Sequence, residues 1–167
     1  MFYRFFNYLS FIFSATNQHG IHSPFIYDFV TKCLYKKYKI KGPKITGILF
    51  KCILYFKANN ISIFPKDIQL ESRVMNVFPK IEFNKHPFDI IYLEYPYPEF
   101  LNPVIQDNKY HNDSIVFVKN IHKNKEGTMN WELFKNSEEV TVSVDMYYCG
   151  VLFFRKEQVK EHFKIRI

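Results

Sequence analysis

Glycine is scarce, at five in 167 residues, and no phosphate-cradling run of the P-loop kind is present. There is no hydrolase triad and no zinc motif. Cysteine is limited to Cys33, Cys52 and Cys149, an odd number, widely spaced, with no CxxC and no Cys/His ligand pairing. That pattern excludes a disulfide framework and reads as reduced, buried thiols in a cytoplasmic protein. Long apolar runs are missing too, since nothing reaches the roughly 18 residues that a membrane span requires. Met1 to Ala15 comes nearest to a signal peptide, but Arg4 and Asn7 interrupt it. The expectation is a chain without a transmembrane segment and without secretion. Acid is short as well: 16 Asp and Glu against 23 Lys and Arg leave a net charge of +7. Such an excess ordinarily suggests nucleic acid. Here it accompanies abundant Phe, Tyr, Ile and Asn, all with AT-rich codons, so codon bias explains the lysine and nucleic acid is not the expected partner. The local cluster Lys32, Lys36, Lys37, Lys39, Lys41 and Lys44 reads as a solvated helix end and loop.

What is present is apolar and β-rich. At 47% hydrophobic residues the chain can bury one sizeable core and is too short for two ordinary domains. A single domain over residues 1–167 is expected, with a helical N-terminal extension over 1–44 and an α/β core over 45–167. Asp113–Val118, Val140–Asp145 and Gly150–Arg155 are runs of strand length, and the last two are spaced to form an antiparallel pair. Between the first two, Met129, Leu133 and Phe134 share a helical face with Trp131 on its flank. Ile61–Phe64, Lys80–Phe83 and Phe88–Leu93 read as further strands, the last near-continuously apolar, like a parallel strand covered on both faces. Ile45–Phe56 and Asp67–Val77 read as helices.

The N-terminal segment is an amphipathic helix with an aromatic face, Phe2, Phe5, Phe6, Leu9, Ile12 and Phe13 recurring at spacings of three and four. This face must be covered, by the protein's own fold, by a protein partner or second copy, or by a membrane surface. His19-Gly-Ile-His-Ser-Pro-Phe25 follows as a loop, with Ser23 placed to cap a helix that begins at Pro24.

Several of these pieces together resemble a class I S-adenosylmethionine (SAM)-dependent methyltransferase family of Bacteroidetes type. They are the His19–Phe25 opening with Tyr27-Asp-Phe29, Gly47–Lys57, Phe88–Glu94, the Asn112-Asp-Ser strand start, the Met129/Trp131 helix, Val142–Asp145, Gly150–Gln158 and Glu161–Arg166. The resemblance covers about two thirds of the chain, in islands. It implies a Rossmann-like, mostly parallel sheet of five or six strands ending in an antiparallel pair. It also places His19 and His22 on the active-site side and Glu94 at the strand end where the family has aspartate, so these three are the candidate cofactor-binding residues.

The departures fall on the binding chemistry. A SAM site needs a glycine turn after the first strand so that the backbone can approach the cofactor. This chain has Pro65-Lys66-Asp67, and Ile63 replaces the acid at the strand's end. Between Asp67 and Pro87 there is no room for the usual second strand and its ribose-binding acid, and Glu71 and Glu82 read more simply as surface carboxylates. Tyr95-Pro-Tyr-Pro98 is a stiff aromatic segment suited to filling the cleft or meeting a partner. Lys119-Asn120 stands where adjacent aspartates would bind metal, so no metal is expected and Lys119 is expected to pair with Glu94. Candidate catalytic residues are Asn120 and His122, the latter read as a partly exposed loop histidine. The expectation is a degenerate methyltransferase-like protein that binds no cofactor and acts as a binding or regulatory module. The competing expectation is a divergent SAM-dependent methyltransferase with an altered pocket.

Overall fold

Stretches of β-branched and aromatic residues alternate along the chain with segments of helical apolar spacing, and each stretch finds its place in one sheet. The structure, a computed structural model, describes residues 2–38 and 42–167. Lys39 and Lys41 of the lysine cluster therefore lie outside the described residues. In chain order the elements are α1 (Phe2–Ser14), α2 (Pro24–Asp28, continued by a π-helical segment Phe29–Leu34), α3 (Lys44–Phe56), β1 (Asn60–Phe64) and α4 (Ile68–Val77). They continue with β2 (Glu82–Phe83), β3 (Phe88–Leu93), α5 (Pro98–Gln106), β4 (Tyr110–Lys119), α6 (Lys125–Asn136), β5 (Val142–Asp145), β6 (Cys149–Phe153) and β7 (Glu161–Lys164).

The sheet has seven strands in the order β2-β1-β3-β4-β6-β5-β7. All pairings are parallel except the two made by β6, which runs opposite to both β4 and β5. The fold is thus α/β with a mostly parallel sheet and an antiparallel C-terminal pair. It has one strand more than the upper expectation, because Glu161–Lys164 adds β7 at the edge. That strand alternates half-buried and exposed positions and carries two charges in four residues, so it has no apolar run to betray it.

Parallel strands need both faces covered. On one face Ile61, Ile90, Ile115, Phe117, Val144 and Val151 pack against Phe29, Val30 and Cys33 of the α2 segment, Leu49 and Ile53 of α3, and Val74 of α4. On the other, Ile91, Leu93, Val116, Val118 and Leu152 pack against Leu101 and Val104 of α5 and Trp131 and Phe134 of α6. The α6 face differs from the expected one. Trp131 is fully buried, whereas Met129 and Leu133 are largely exposed. Gly150 on β6 explains the choice, since only a residue without Cβ leaves room for the indole ring of Trp131 to lie on the strand. Helix α5 escapes a sequence reading because Pro98 and Pro103 sit within it. Pro98 at its first turn is tolerated there, but Pro103 is a breaker by type.

α1 lies over the β5–β6 turn. Its Phe11 and Ala15 are buried with Tyr147, Tyr8 meets Tyr147 edge-on at 4.8 Å, and the Tyr147 hydroxyl donates to the Arg4 carbonyl at 2.7 Å. Thr16 then bridges to Ile165 just past β7. Most of the expected aromatic face is therefore not the docked one: Phe5, Phe6, Leu9 and Phe13 point outward, with Phe13 88% exposed, while Ile12 packs against the docked cluster and the Phe2 side chain lies outside the described residues. Phe11, Ala15 and Tyr8 form the opposite side of the helix and make the contact.

Candidate functional site

Open parallel sheets bind ligands at the carboxyl ends of their strands, and here β1, β3 and β4 end side by side. β1 is followed by Pro65-Lys66-Asp67, β3 by Glu94, and β4 closes on Lys119 and is followed by Asn120. Glu94 is the centre of this edge. Its Oε1 accepts from Lys119 Nζ at 2.8 Å and from Asn120 Nδ2 at 3.2 Å, and its Oε2 accepts from the Tyr92 hydroxyl at 2.6 Å. Asn120 Nδ2 also reaches the Glu94 carbonyl at 3.1 Å. The expected Lys119–Glu94 contact is present, and the carboxylate has three donors around it rather than one.

Tyr92 is the member that sequence reasoning missed. The signal was available: Tyr92 and Glu94 are two apart on a strand, so they project to the same side. Burial, followed by the Glu94 contact, holds the Tyr92 phenol well above its ordinary pKa and keeps it protonated as a donor. Asn120 also has a backbone reason to be asparagine. Its φ of 59° lies in the left-handed region, which asparagine adopts more readily than most residues.

The carboxylate beside the remaining cleft is likewise engaged within the protein. Asp67 Oδ1 accepts from the amides of Gln69 and Leu70 at 2.9 and 3.0 Å and so caps α4. Pro65 offers no amide. A hollow of about 380 Å³ remains between Pro65–Gln69, Tyr92 and Glu94. Beside it the aromatic segment forms a wall: Tyr95 stacks on Tyr97 at 5.4 Å, Phe100 stacks on Phe64 at 6.0 Å, and Lys123 Nζ lies 4.7 Å from the Tyr95 ring centroid. Behind that wall a second hollow of about 200 Å³ is lined by Tyr95, Tyr97, Asn120, Lys123 and Gly127. Glu82 is exposed and paired with Lys85, and Glu71 stands in the first turn of α4.

His122 is not the partly exposed loop residue expected. Only 7% exposed, it places Nε2 2.7 Å from Asp145 Oδ2 and Nδ1 3.0 Å from Thr128 Oγ1. Asp145 Oδ1 in turn accepts the Tyr147 amide at 2.8 Å, and the Tyr3 hydroxyl donates to Thr128 Oγ1 at 2.9 Å. This chain ties β5, α6 and α1 together and uses both ring nitrogens, so His122 stands apart from Glu94 and Asn120 in a network of its own. Asp145 was not singled out from sequence, because its partner His122 is 23 residues away along the chain.

His19 and His22 are exposed. They belong to the segment that passes the β7 edge, where Thr16 bridges to Ile165 and Ser23 Oγ reaches Gln158 at 3.4 Å. Among the described residues no hydrogen bond joins either histidine to Glu94, Asn120 or His122. Ser23 does cap the helix starting at Pro24, through the Ile26 amide. No group of three His, Cys, Asp or Glu among the described residues is arranged to hold a metal ion. No family model matches the chain, and no curated protein or solved structure matches it.

Proposed function

We propose that the chain is a degenerate class I methyltransferase-like protein of Rossmann-like fold, which keeps the scaffold, binds no SAM and serves in the cytoplasm as a binding or regulatory module. The observation that carries this reading is the internal engagement of Glu94. A ribose-binding or metal-binding carboxylate needs lone pairs free toward the cleft, and here Tyr92, Lys119 and Asn120 already donate to both carboxylate oxygens, two of the three to Oε1. The order of the sheet, with the reversed β6 inserted between β4 and β5, supports the family resemblance. Pro65 and the α4-capping Asp67 support the loss of the cofactor turn. The rigid Tyr95-Pro-Tyr-Pro98 rim is the surface offered to a protein partner, since prolines and tyrosines present contact area at low entropic cost.

Calorimetric titration of the protein with SAM and with its demethylated product is expected to show no saturable heat. Binding in the micromolar range, about −8 kcal/mol, would overturn the reading in favour of a divergent methyltransferase.

A further inference from the structure

Helix α1 has two apolar sides. One side docks on Tyr147 through Phe11 and Ala15. The other, Phe5, Leu9 and Phe13 at successive spacings of four with Phe6 beside them, is outside the fold, at 59%, 37%, 88% and 64% exposed. Tyr3, also exposed, adds a ring that is apolar at the base and polar at the tip.

The charge around the helix is predominantly positive. No carboxylate side chain precedes Asp28 in the sequence. Arg4 is exposed in the first turns, and Lys164 Nζ reaches Ser14 Oγ at 3.2 Å at the other end. Lys123 and Lys125 stand exposed at the start of α6, where Glu126 is the one acid. Asp145, the carboxylate beneath α1, is 3% exposed and turned to His122. Next to the stripe an open hollow of about 490 Å³ is lined by Arg4, Phe5, Tyr8, Tyr147 and Tyr148, which puts a guanidinium and aromatic rings around a space open to an anion.

Two occupants suit an apolar stripe of this kind. A second copy is the weaker fit. A helix of 13 residues is about 20 Å long and about 10 Å across, a footprint of about 200 Å² against the roughly 800 Å² per partner of a stable dimer. Self-pairing would also bring cationic surfaces together. A lipid surface needs no matching area, and an amphipathic helix bearing Phe and Leu outward with cations at its two ends is what such a surface binds. We propose that α1 docks the protein onto an anionic membrane surface, with Phe5, Phe6, Leu9 and Phe13 entering the headgroup boundary and Arg4 and Lys164 meeting lipid phosphates. The helix lies in the plane of the surface, still held to the fold by Phe11, Ala15 and the Tyr147–Arg4 hydrogen bond. This inference is independent of the cleft at Glu94.

Flotation of the full chain with phosphatidylcholine vesicles, with and without phosphatidylglycerol, tests it. The protein is expected to float with the anionic vesicles and to stay behind with the neutral ones. The double variant Phe6→Ser, Phe13→Ser is expected to lose at least about tenfold in partitioning, with an unchanged melting temperature because both side chains lie outside the core. Arg4→Gln and Lys164→Gln are expected to lose about fivefold each. Failure of the full chain to float with either vesicle would overturn the proposal. So would a concentration-dependent dimer that the Phe variants abolish, with flotation left unchanged, since that would give the stripe to a second copy.

Discussion

Two residues near opposite ends of β3 contribute stability with opposite dependence on pH. Tyr92 keeps its proton in the folded state, chiefly through burial and then through Glu94. A group whose folded pKa lies above its unfolded value stabilises the fold below the unfolded pKa, near 10 for tyrosine, and loses that contribution as pH rises through it. Tyr92→Phe is therefore expected to flatten the alkaline limb of the melting temperature against pH above about pH 10. At the opposite sheet edge the sign reverses. Burial pushes Asp89 up, but the amides of Asn60 and Asn59, at 2.8 and 2.7 Å, and His111 at 2.9 Å together outweigh it and leave the carboxyl below its ordinary value. Its contribution is present above the unfolded pKa, about 3.9, and fades as pH falls through the folded one. Asp89→Asn is expected to lower stability at neutral pH and to remove part of the acid loss below about pH 4, which a pH series of thermal melts would show.

Among the elements, β6 and α6 depend on one another through Gly150 and Trp131. A Cβ at Gly150 would stand 2.6 Å from Trp131 Cζ2 and closer still to Cη2. In a core packed to crystal density the ring cannot step aside. Gly150→Ala is expected to cost about 1–3 kcal/mol in urea unfolding, and Trp131→Phe, whose ring stops short of that position, to recover part of the loss in the double variant. The Trp131 Nε1 has no hydrogen-bond partner among the described residues, so little polar compensation is lost in the exchange. How far such elements were legible follows from their chemistry. β3 and β4 are apolar enough to announce themselves, and α3 carries its apolar face at helical spacing. α5 is masked by its prolines and β7 by its charges. The packed face of α6 was misread because Met129 and Leu133 are apolar by type, and nothing local says that a glycine two elements away selects Trp131. The Glu94–Lys119 pair was legible because both side chains leave adjacent parallel strands at the same edge. His122 was not, since its partner Asp145 is on a strand whose position depends on the whole sheet.

At the scale of the molecule, the three cysteines report on cooperativity. Cys33, Cys52 and Cys149 come from the α2 segment, α3 and β6, and all are buried in the core on the same face of the sheet. Burial, with Asp145 nearby, raises the Cys149 thiol, and a hydrogen bond with Cys33 followed by burial raises Cys52. A thiol in that state is a poor nucleophile. An aromatic disulfide reagent is expected to find no reactive thiol in the native protein and all three in denaturant, released together along the unfolding transition. One thiol that reacts early would mark a helix that opens separately from the sheet.

The placement of β6 has a consequence for how the chain reaches this state. β4 and β5 run in the same direction and are not neighbours in the sheet; β6 is hydrogen-bonded to both. Until residues 149–153 arrive, the backbone amides and carbonyls along one side of β4 have no partner, and they border some of the most apolar side chains of the protein. During synthesis on a ribosome the half-built sheet is thus an adhesive strip. It invites pairing with any other extended segment within reach, including β4 of a neighbouring nascent chain. A chaperone that shields extended apolar strands would have its work here, and its work would end when β6 slides between its two neighbours and seals the seam.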